Sequence, residues 1–181
     1  MALFNGVHYA LSSSIQPGRH KELSALLDLH GATSAPPPTH IIALAGSHIQ
    51  GEYEGSLHVV SDMWYEGIDG QYVSERYYSP DPIMIFSGVV ACATDLSQWD
   101  LEVLSAGITS LGGQWRTALT RDVTHLFALH KQSNKYQTAM YFAPYTGMSI
   151  LTPHWFDDSV QLGCCVPEIP YLWPDPEVLA R

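Results

Sequence analysis

The basic side chains of this acidic chain are unevenly distributed, and their clustering is the first feature that suggests chemistry. The chain has eight Lys and Arg residues against eighteen Asp and Glu residues, which gives a formal net charge of −10. Four of the eight cations lie within one 20-residue stretch, at Arg116, Arg121, Lys131 and Lys135. A local basic spot on an acidic protein suits one small anion, and scattered solubilising charges are the alternative interpretation.

The overall charge argues against two classes of partner. A chain this acidic repels a nucleic-acid backbone, whose affinity comes largely from neutralised phosphates, so we expect no direct nucleic-acid binding. No apolar run approaches the roughly 18 residues that span a bilayer, and the N-terminus lacks a charged segment followed by a hydrophobic one. We therefore expect a soluble intracellular chain with no membrane partner.

Nine histidines and three cysteines do not form a metal or catalytic pattern. His40 and His125 occupy corresponding positions in two similar strands, which favours a structural role. Cys164 and Cys165 are adjacent and lack a partner pair, and Cys92 lies inside an apolar run, which suits a reducing compartment. No phosphate-binding glycine loop or nucleophile motif is present. The sequence therefore predicts a non-enzymatic protein with no cofactor and no bound metal.

Three landmarks of the first half return in the same order in the second half, at offsets of 82, 85 and 91 residues. Such collinear similarity indicates a duplicated domain of roughly 80 to 95 residues. The corresponding segments are 3–9 with 85–91, 39–43 with 124–128, and 59–64 with 150–155. We predict a first domain at 1–73, a linker at 74–82 and a second domain at 83–181 that includes a C-terminal tail.

The hydrophobic pattern predicts an α/β architecture in each copy, with the element order βαββαβα. In the second copy we expect strands at 89–93, 115–118, 123–129 and 148–151, and helices from Leu101 to Gly112, from Asn134 to about Phe142, and after Thr152 as N-cap. This order implies a four-stranded parallel sheet flanked by helices. In the first copy the second helix is expected to be reduced or missing, since residues 45–56 contain three glycines and little apolar periodicity.

The second copy resembles a BRCT domain over its whole length. The resemblance lies in the glycine-containing first strand, the Gly112–Gly113 turn, the Val123–Leu126 strand, the segment Lys135–Ala139 and the Thr152–Trp155 helix start. With its linker, the chain resembles a tandem BRCT region. That resemblance implies a non-enzymatic protein–protein interaction module of a nuclear scaffold in the DNA-damage response, repair or genome maintenance.

The resemblance also implies a phosphate pocket in the second domain. In phosphate-binding BRCT domains a Ser or Thr ends the first strand, the next residue offers its backbone N–H, and a Lys begins the second helix. The matching residues are Thr94, Asp95 and Lys135, with Lys131 as a possible secondary cation. A dianionic phosphoserine or phosphothreonine needs such donors and a cation, so the expected partner is a phosphorylated protein or peptide.

Two departures from the family pattern leave an alternative open. Asp95 stands where the family commonly has Gly, and it places a carboxylate beside the proposed phosphate. In the first copy Ser12 matches Thr94, but residues 43–63 contain no Lys or Arg. Ser12 is therefore only a possible secondary ligand. The alternative is a scaffold module that binds its partner without phosphate.

Overall fold

The computed structural model describes residues 3–48, 58–65 and 75–180. The chain divides into two compact units, Met1–Gly88 and Val89–Arg181. Tyr78, within the predicted linker, is buried in the core of the first unit, and Gly88 N donates to the carbonyl oxygen of Tyr77. In the described part of the chain, no helix is long and apolar enough to cross a membrane.

The second unit is a parallel four-stranded sheet with three helices, as the sequence predicts. The elements are β4 (Val90–Thr94), α2 (Gln98–Ser110), β5 (Gln114–Trp115), β6 (His125–Ala128), α3 (Asn134–Thr146), β7 (Ser149–Leu151) and α4 (His154–Leu162). The strand order is β5-β4-β6-β7, and every neighbouring pair is parallel. The inner position of β4 explains why its first four residues are apolar and all five are buried.

The ends of α2 and α3 follow from local side-chain chemistry. Ser97 caps α2 by accepting a hydrogen bond from Asp100 N, and Ser133 caps α3 by accepting one from Tyr136 N. Helix α3 is longer than predicted, because it continues through Pro144 to Thr146. It ends at Gly147, whose φ of 70° is the left-handed conformation that glycine tolerates best.

The predicted N-cap of the last helix is wrong. Helix α4 begins at His154, Pro153 occupies the N-cap position, and no side chain caps the helix. The hydroxyl of Thr152 is instead fully buried, with no hydrogen-bond partner among the described residues. The backbone N–H of Thr152 donates to the carbonyl oxygen of Tyr171, so this residue lies beneath the C-terminal tail.

The first unit has the same plan with a smaller sheet. Its described elements are β1 (Tyr9–Leu11), α1 (Pro17–Leu29), β2 (His40–Ala43) and β3 (His58–Ser61), with the parallel order β1-β2-β3. A single parallel bridge between His8 and Thr33 takes the place of the predicted fourth strand. Three prolines follow at 36–38, and proline cannot donate to a strand ladder. The predicted loss of the second helix falls mainly on residues 49–57, outside the described residues.

The two units bury equivalent aromatic side chains. Trp64 and Trp155 are 0 % and 1 % exposed, so each lies in the core of its own unit. In the second unit the C-terminal tail is part of the fold, because Trp173 N donates to Ile150 O and Trp173 Nε1 donates to Ala128 O. A short 3₁₀ turn at Ile169–Tyr171 brings the tail to this position.

Candidate functional site

The candidate site lies where the carboxyl end of β4 meets the amino end of α3. Thr94 is the last residue of β4, and its register partner on β6 is Ala128. Ser133, Asn134 and Lys135 follow the loop after β6 and open α3. In parallel α/β sheets the carboxyl ends of strands and the amino ends of helices face the same edge, which is the usual place for an anion.

Thr94 and the helix cap are joined by a hydrogen bond that the sequence did not reveal. The hydroxyl of Thr94 donates to Ser133 Oγ at 2.9 Å, and Ser133 Oγ accepts from Tyr136 N at 2.9 Å. Thr94 is buried, whereas Ser133 is half-buried. A hydroxyl has one donor and two acceptor positions, so Ser133 keeps its own proton to donate. Ser133 lies two residues before Lys135. Serine is a common N-cap residue, and this was the signal in the sequence that could have placed Ser133 at the start of α3, beside the site.

Lys135 is anchored on the backbone at the end of β4. Its ammonium donates to Ala93 O at 2.8 Å and to Thr117 O at 3.1 Å, and it lies 3.5 Å from Cys92 Sγ. An ammonium group has three N–H donors; the two carbonyls accept from two of them, and Cys92 Sγ, a weak acceptor, accepts from the third. The structure therefore brings Lys135 to the same strand end as Thr94, as the sequence predicted, with its position fixed before any ligand binds.

Asp95 has an unusual backbone conformation. Its φ is +56°, and it is the single residue other than glycine with positive φ in the described part of the chain. This left-handed conformation costs most residues roughly 1–2 kcal/mol, and glycine essentially nothing. Asp95 thus adopts a backbone conformation that glycine tolerates best, while its exposed side chain adds a carboxylate.

Lys131 lies at a different contact. Its ammonium is 3.1 Å from Asp175 Oδ1 and 5.6 Å from the centroid of the Trp173 ring. Both partners belong to the C-terminal tail, so Lys131 holds the tail against the loop after β6. The structure therefore separates the two lysines that the sequence placed together.

Arg116 of the predicted basic stretch is engaged by neighbouring side chains. Arg116 binds Asp122 through Nε at 3.0 Å and Nη2 at 2.6 Å, and Nη2 also donates to Gln114 Oε1. Burial raises the pKa of Asp122, but the hydrogen bonds from Thr120 and Arg116 and the charge of Arg116 outweigh it and lower the pKa overall. Arg116 is thus neutralised within its own turn.

In the first unit, Ser12 occupies the position that matches Thr94. It is 1 % exposed, and its Oγ accepts from Ser14 N at 3.2 Å and from Ser14 Oγ at 3.1 Å. The carbonyl oxygen of Ser12 contacts His20 Nε2 at 3.2 Å. A cation does approach this edge from α1, since Arg19 Nε lies 3.9 Å from Asp62 Oδ2. Arg19 is thus paired with the carboxylate of Asp62. Ser12 therefore remains only a possible secondary ligand.

The paired strand histidines are structural, as predicted. His125 contacts Thr124 Oγ1 through Nδ1 at 2.7 Å and Glu168 Oε1 through Nε2 at 3.1 Å, and it packs on the Trp155 ring at 5.1 Å. Hydrogen bonding from His125 lowers the pKa of Glu168; burial opposes this and a bond from Ser149 adds to it.

The first unit repeats this arrangement. His40 contacts Thr39 Oγ1 at 2.8 Å and Glu75 Oε1 at 3.3 Å, and it stacks on Trp64 with a centroid separation of 5.1 Å. Burial lowers the pKa of His40, although the hydrogen bond to Glu75 opposes the change. Residues 3–48, 58–65 and 75–180 contain no group of three or more His, Cys, Asp or Glu side chains that could hold a metal ion.

Sequence comparison finds similarity between part of this chain and a known family. Residues 89–155 match the family model of a twin BRCT domain. BRCT-containing protein 1 of Schizosaccharomyces pombe is 23 % identical over 142 residues, which cover 76 % of this chain and 17 % of that protein. PAX-interacting protein 1 of Danio rerio is 33 % identical over 128 residues, which cover 68 % of this chain and 13 % of that protein. The chain thus spans less than a fifth of either relative.

Two solved structures are similar to this chain over most of its length. Rad4 BRCT1,2 in complex with a Crb2 phosphopeptide is 20 % identical with a TM-score of 0.48, and the match covers 95 % of this chain and 100 % of that one. The structure of yeast Rtt107 and Slx4 is 11 % identical with a TM-score of 0.47, over 92 % of this chain and 43 % of that one. The resemblance to tandem BRCT domains predicted from the sequence is confirmed by the family model and the curated relatives.

Proposed function

The chain is similar to tandem BRCT regions and its second unit matches the BRCT family, and from that premise we propose that it is a non-enzymatic protein–protein interaction module. It acts within a nuclear scaffold of the DNA-damage response or genome maintenance. Its second unit binds a phosphoserine or phosphothreonine peptide from a DNA repair or chromatin protein. The resemblance to tandem BRCT regions supports the setting, and the site at the end of β4 supports the chemistry.

The convergence of Lys135 and Thr94 on one strand end is the observation that carries the proposal. Two backbone carbonyls hold the Lys135 ammonium, and its third N–H donates to Cys92 Sγ, a weak acceptor that a phosphate oxygen replaces in the proposed complex. A phosphate oxygen in that direction receives a charge-assisted hydrogen bond, which contributes roughly 1.5 to 3 kcal/mol. Thr94 and Ser133 share a hydrogen bond there, so a hydroxyl proton is available beside the cation.

The backbone supplies the remaining donors of the proposed pocket. The left-handed conformation of Asp95 turns the chain at the end of β4. In the proposed complex the N–H of Asp95 donates to the phosphate. The amino end of α3, a helix of 13 residues, contributes positive potential from its unpaired N–H groups.

Lys131 and Ser12 have secondary roles in the proposal. Lys131 is bound to Asp175, and it reaches a ligand only if that exposed ion pair opens. Exposed ion pairs contribute about 0–1 kcal/mol, so opening costs little. Ser12 has a buried hydroxyl and a neighbouring arginine that is paired with Asp62. The second unit is therefore the proposed phosphate reader.

A phosphate-independent interaction is the second candidate function, and a patch of aromatic side chains favours it. On the outer face of α3, Tyr141 and Tyr145 are 68 % and 80 % exposed, and Phe142 is 47 % exposed. Tyr141 packs against both of the others, with ring centroids 4.9 Å and 6.4 Å away. Exposed aromatic clusters of this kind are typical of protein-binding surfaces. The carboxylate of Asp95 and the net charge of −10 also favour a phosphate-independent interaction, because negative charge repels a phosphate.

An array of phosphoserine and phosphothreonine peptides beside their unmodified twins separates the two candidates. The phosphate reader binds the modified member of a pair at least tenfold more tightly than its twin. Equal binding to both members of every pair shows a phosphate-independent surface instead. Binding to none of the peptides contradicts the proposed phosphopeptide function.

A further inference from the structure

A groove on the second unit begins at Lys135 and runs between α2 and β5. Its cavity volume is about 480 Å³, which is enough for one large side chain. The groove walls carry apolar atoms from both elements, with Leu101 and Ala106 on α2 and Trp115 on β5. The groove is unused by the proposed phosphate contacts.

The groove is continuous with the proposed phosphate pocket. Ala93, Thr117 and Lys135 line the groove, and these are the residues joined by the two hydrogen bonds of the Lys135 ammonium. The ammonium therefore lies on the boundary between an anion site and an apolar recess. A peptide whose phosphate rests on Lys135 places a neighbouring residue over the recess.

The charges around the groove disfavour an acidic side chain in it. Arg116 lines the groove, but its guanidinium is bound to Asp122 and Gln114. Glu102 also lines it, and its carboxylate accepts from Gln98 Nε2 at 2.8 Å. Lys135 lines the groove as well, but the phosphate takes its charge in the proposed complex, and the walls are apolar. An uncharged apolar side chain therefore suits this groove best.

We propose that this groove binds one apolar side chain of the phosphorylated peptide, close in sequence to the phosphoresidue, and so determines which phosphopeptides bind. This inference rests on the proposed phosphopeptide function and concerns which peptides the same site prefers. Burial of a Leu, Met or Phe side chain in place of Ala raises affinity about tenfold, which corresponds to about 1.4 kcal/mol.

The test uses peptide libraries with a fixed phosphothreonine or phosphoserine and one fixed flanking position at a time. Binding to the whole chain is measured by fluorescence anisotropy. At one flanking position we expect Leu, Met or Phe to bind about tenfold more tightly than Ala or Asp. If phosphopeptides bind but no flanking position prefers an apolar residue, the proposed role of the groove is wrong. The proposed phosphate pocket would then still stand.

The substitution Ala106→Glu places a carboxylate in the groove, on an exposed helical position where Glu is well tolerated. The matched control, Gln161→Glu, adds the same charge on an exposed position of α4. Circular dichroism checks that both variants fold.

Ala106→Glu is expected to abolish the apolar preference while binding still requires the phosphate, and Gln161→Glu to change neither. An apolar preference that survives Ala106→Glu contradicts the assignment of the groove. If no phosphopeptide binds the wild-type chain, the proposed function and this inference both fail.

Discussion

The ammonium group of Lys135 lies 2.8 Å from the carbonyl oxygen of Ala93, the residue that precedes Thr94. This bond fixes the cation at the end of β4 before a ligand arrives, so little side-chain entropy is lost when a phosphate binds. Lys131, four residues earlier, is bound to the C-terminal tail instead. The two lysines therefore differ in the role that the structure gives them.

Lys135→Gln is expected to weaken phosphopeptide binding by about ten- to a hundredfold, because one charge-assisted hydrogen bond contributes roughly 1.5 to 3 kcal/mol. Lys131→Gln removes the same charge nearby and is the matched control, with an expected change below about threefold. Isothermal titration calorimetry with a peptide from the array measures both. Equal losses in the two variants would show a general charge effect in place of a pocket.

Asp95 provides a second prediction, because its conformation and its charge can be separated. Asp95→Asn keeps a side chain that tolerates positive φ and removes the carboxylate beside the phosphate. We expect phosphopeptide affinity to rise about three- to tenfold from lost repulsion, and to rise no less in Asp95→Gly. Unchanged affinity in Asp95→Asn would mean that the carboxylate points away from the bound phosphate.

The acid sensitivity of the second unit is expected to depend on Glu168. The hydrogen bond from His125 lowers its pKa below the ordinary 4.5. A lowered carboxyl pKa stabilises the fold at pH values above 4.5, and this contribution is lost as the pH falls through the folded value. Glu168→Gln should therefore show a weaker loss of stability than wild type between about pH 5 and pH 3 in urea unfolding. Glu177→Gln, in the same tail, should keep the wild-type pH dependence.

Gly107 is required by the packing of α2 on α4. A Cβ atom at this position would lie 2.3 Å from Phe156 Cζ, and Phe156 is buried. Gly107→Ala should therefore lower the free energy of unfolding by about 1–3 kcal/mol despite the better helix propensity of alanine. Gly18→Ala, in the first turn of α1 with nothing within 4 Å of the added Cβ, should be neutral or stabilising. Thermal unfolding of both variants checks the contrast.

Strong hydrophobic periodicity explains how much of the fold could be predicted. The central strands and α2 of the second unit lie within a few residues of their predicted positions, because apolar runs and helical spacing are local signals. The Thr152 cap was wrong, since its hydroxyl is buried under a tail whose path depends on long-range contacts. The predicted fourth strand of the first unit is reduced to one bridge at Thr33, and three prolines, which cannot donate to a strand ladder, follow at 36–38.

The sequence predicted which residues belong to the candidate site, but not the hydrogen bonds that they make. Thr94, Asp95 and Lys135 follow from the family resemblance, and the structure brings them to one strand end. The bond from Thr94 to Ser133 joins residues 39 positions apart, so no local pattern predicts it. The sequence could not predict the ion pair between Lys131 and Asp175 either, because this contact depends on how the C-terminal tail packs.

Nuclear magnetic resonance titration of the ¹⁵N-labelled chain with phosphothreonine, beside threonine, tests the pocket most directly. We expect the backbone amide signals of Asp95 and of residues 133–136 to shift with phosphothreonine and not with threonine, and these shifts to disappear in Lys135→Gln. A titration in which these amides do not move, or move equally in Lys135→Gln, would contradict a phosphate pocket at the end of β4.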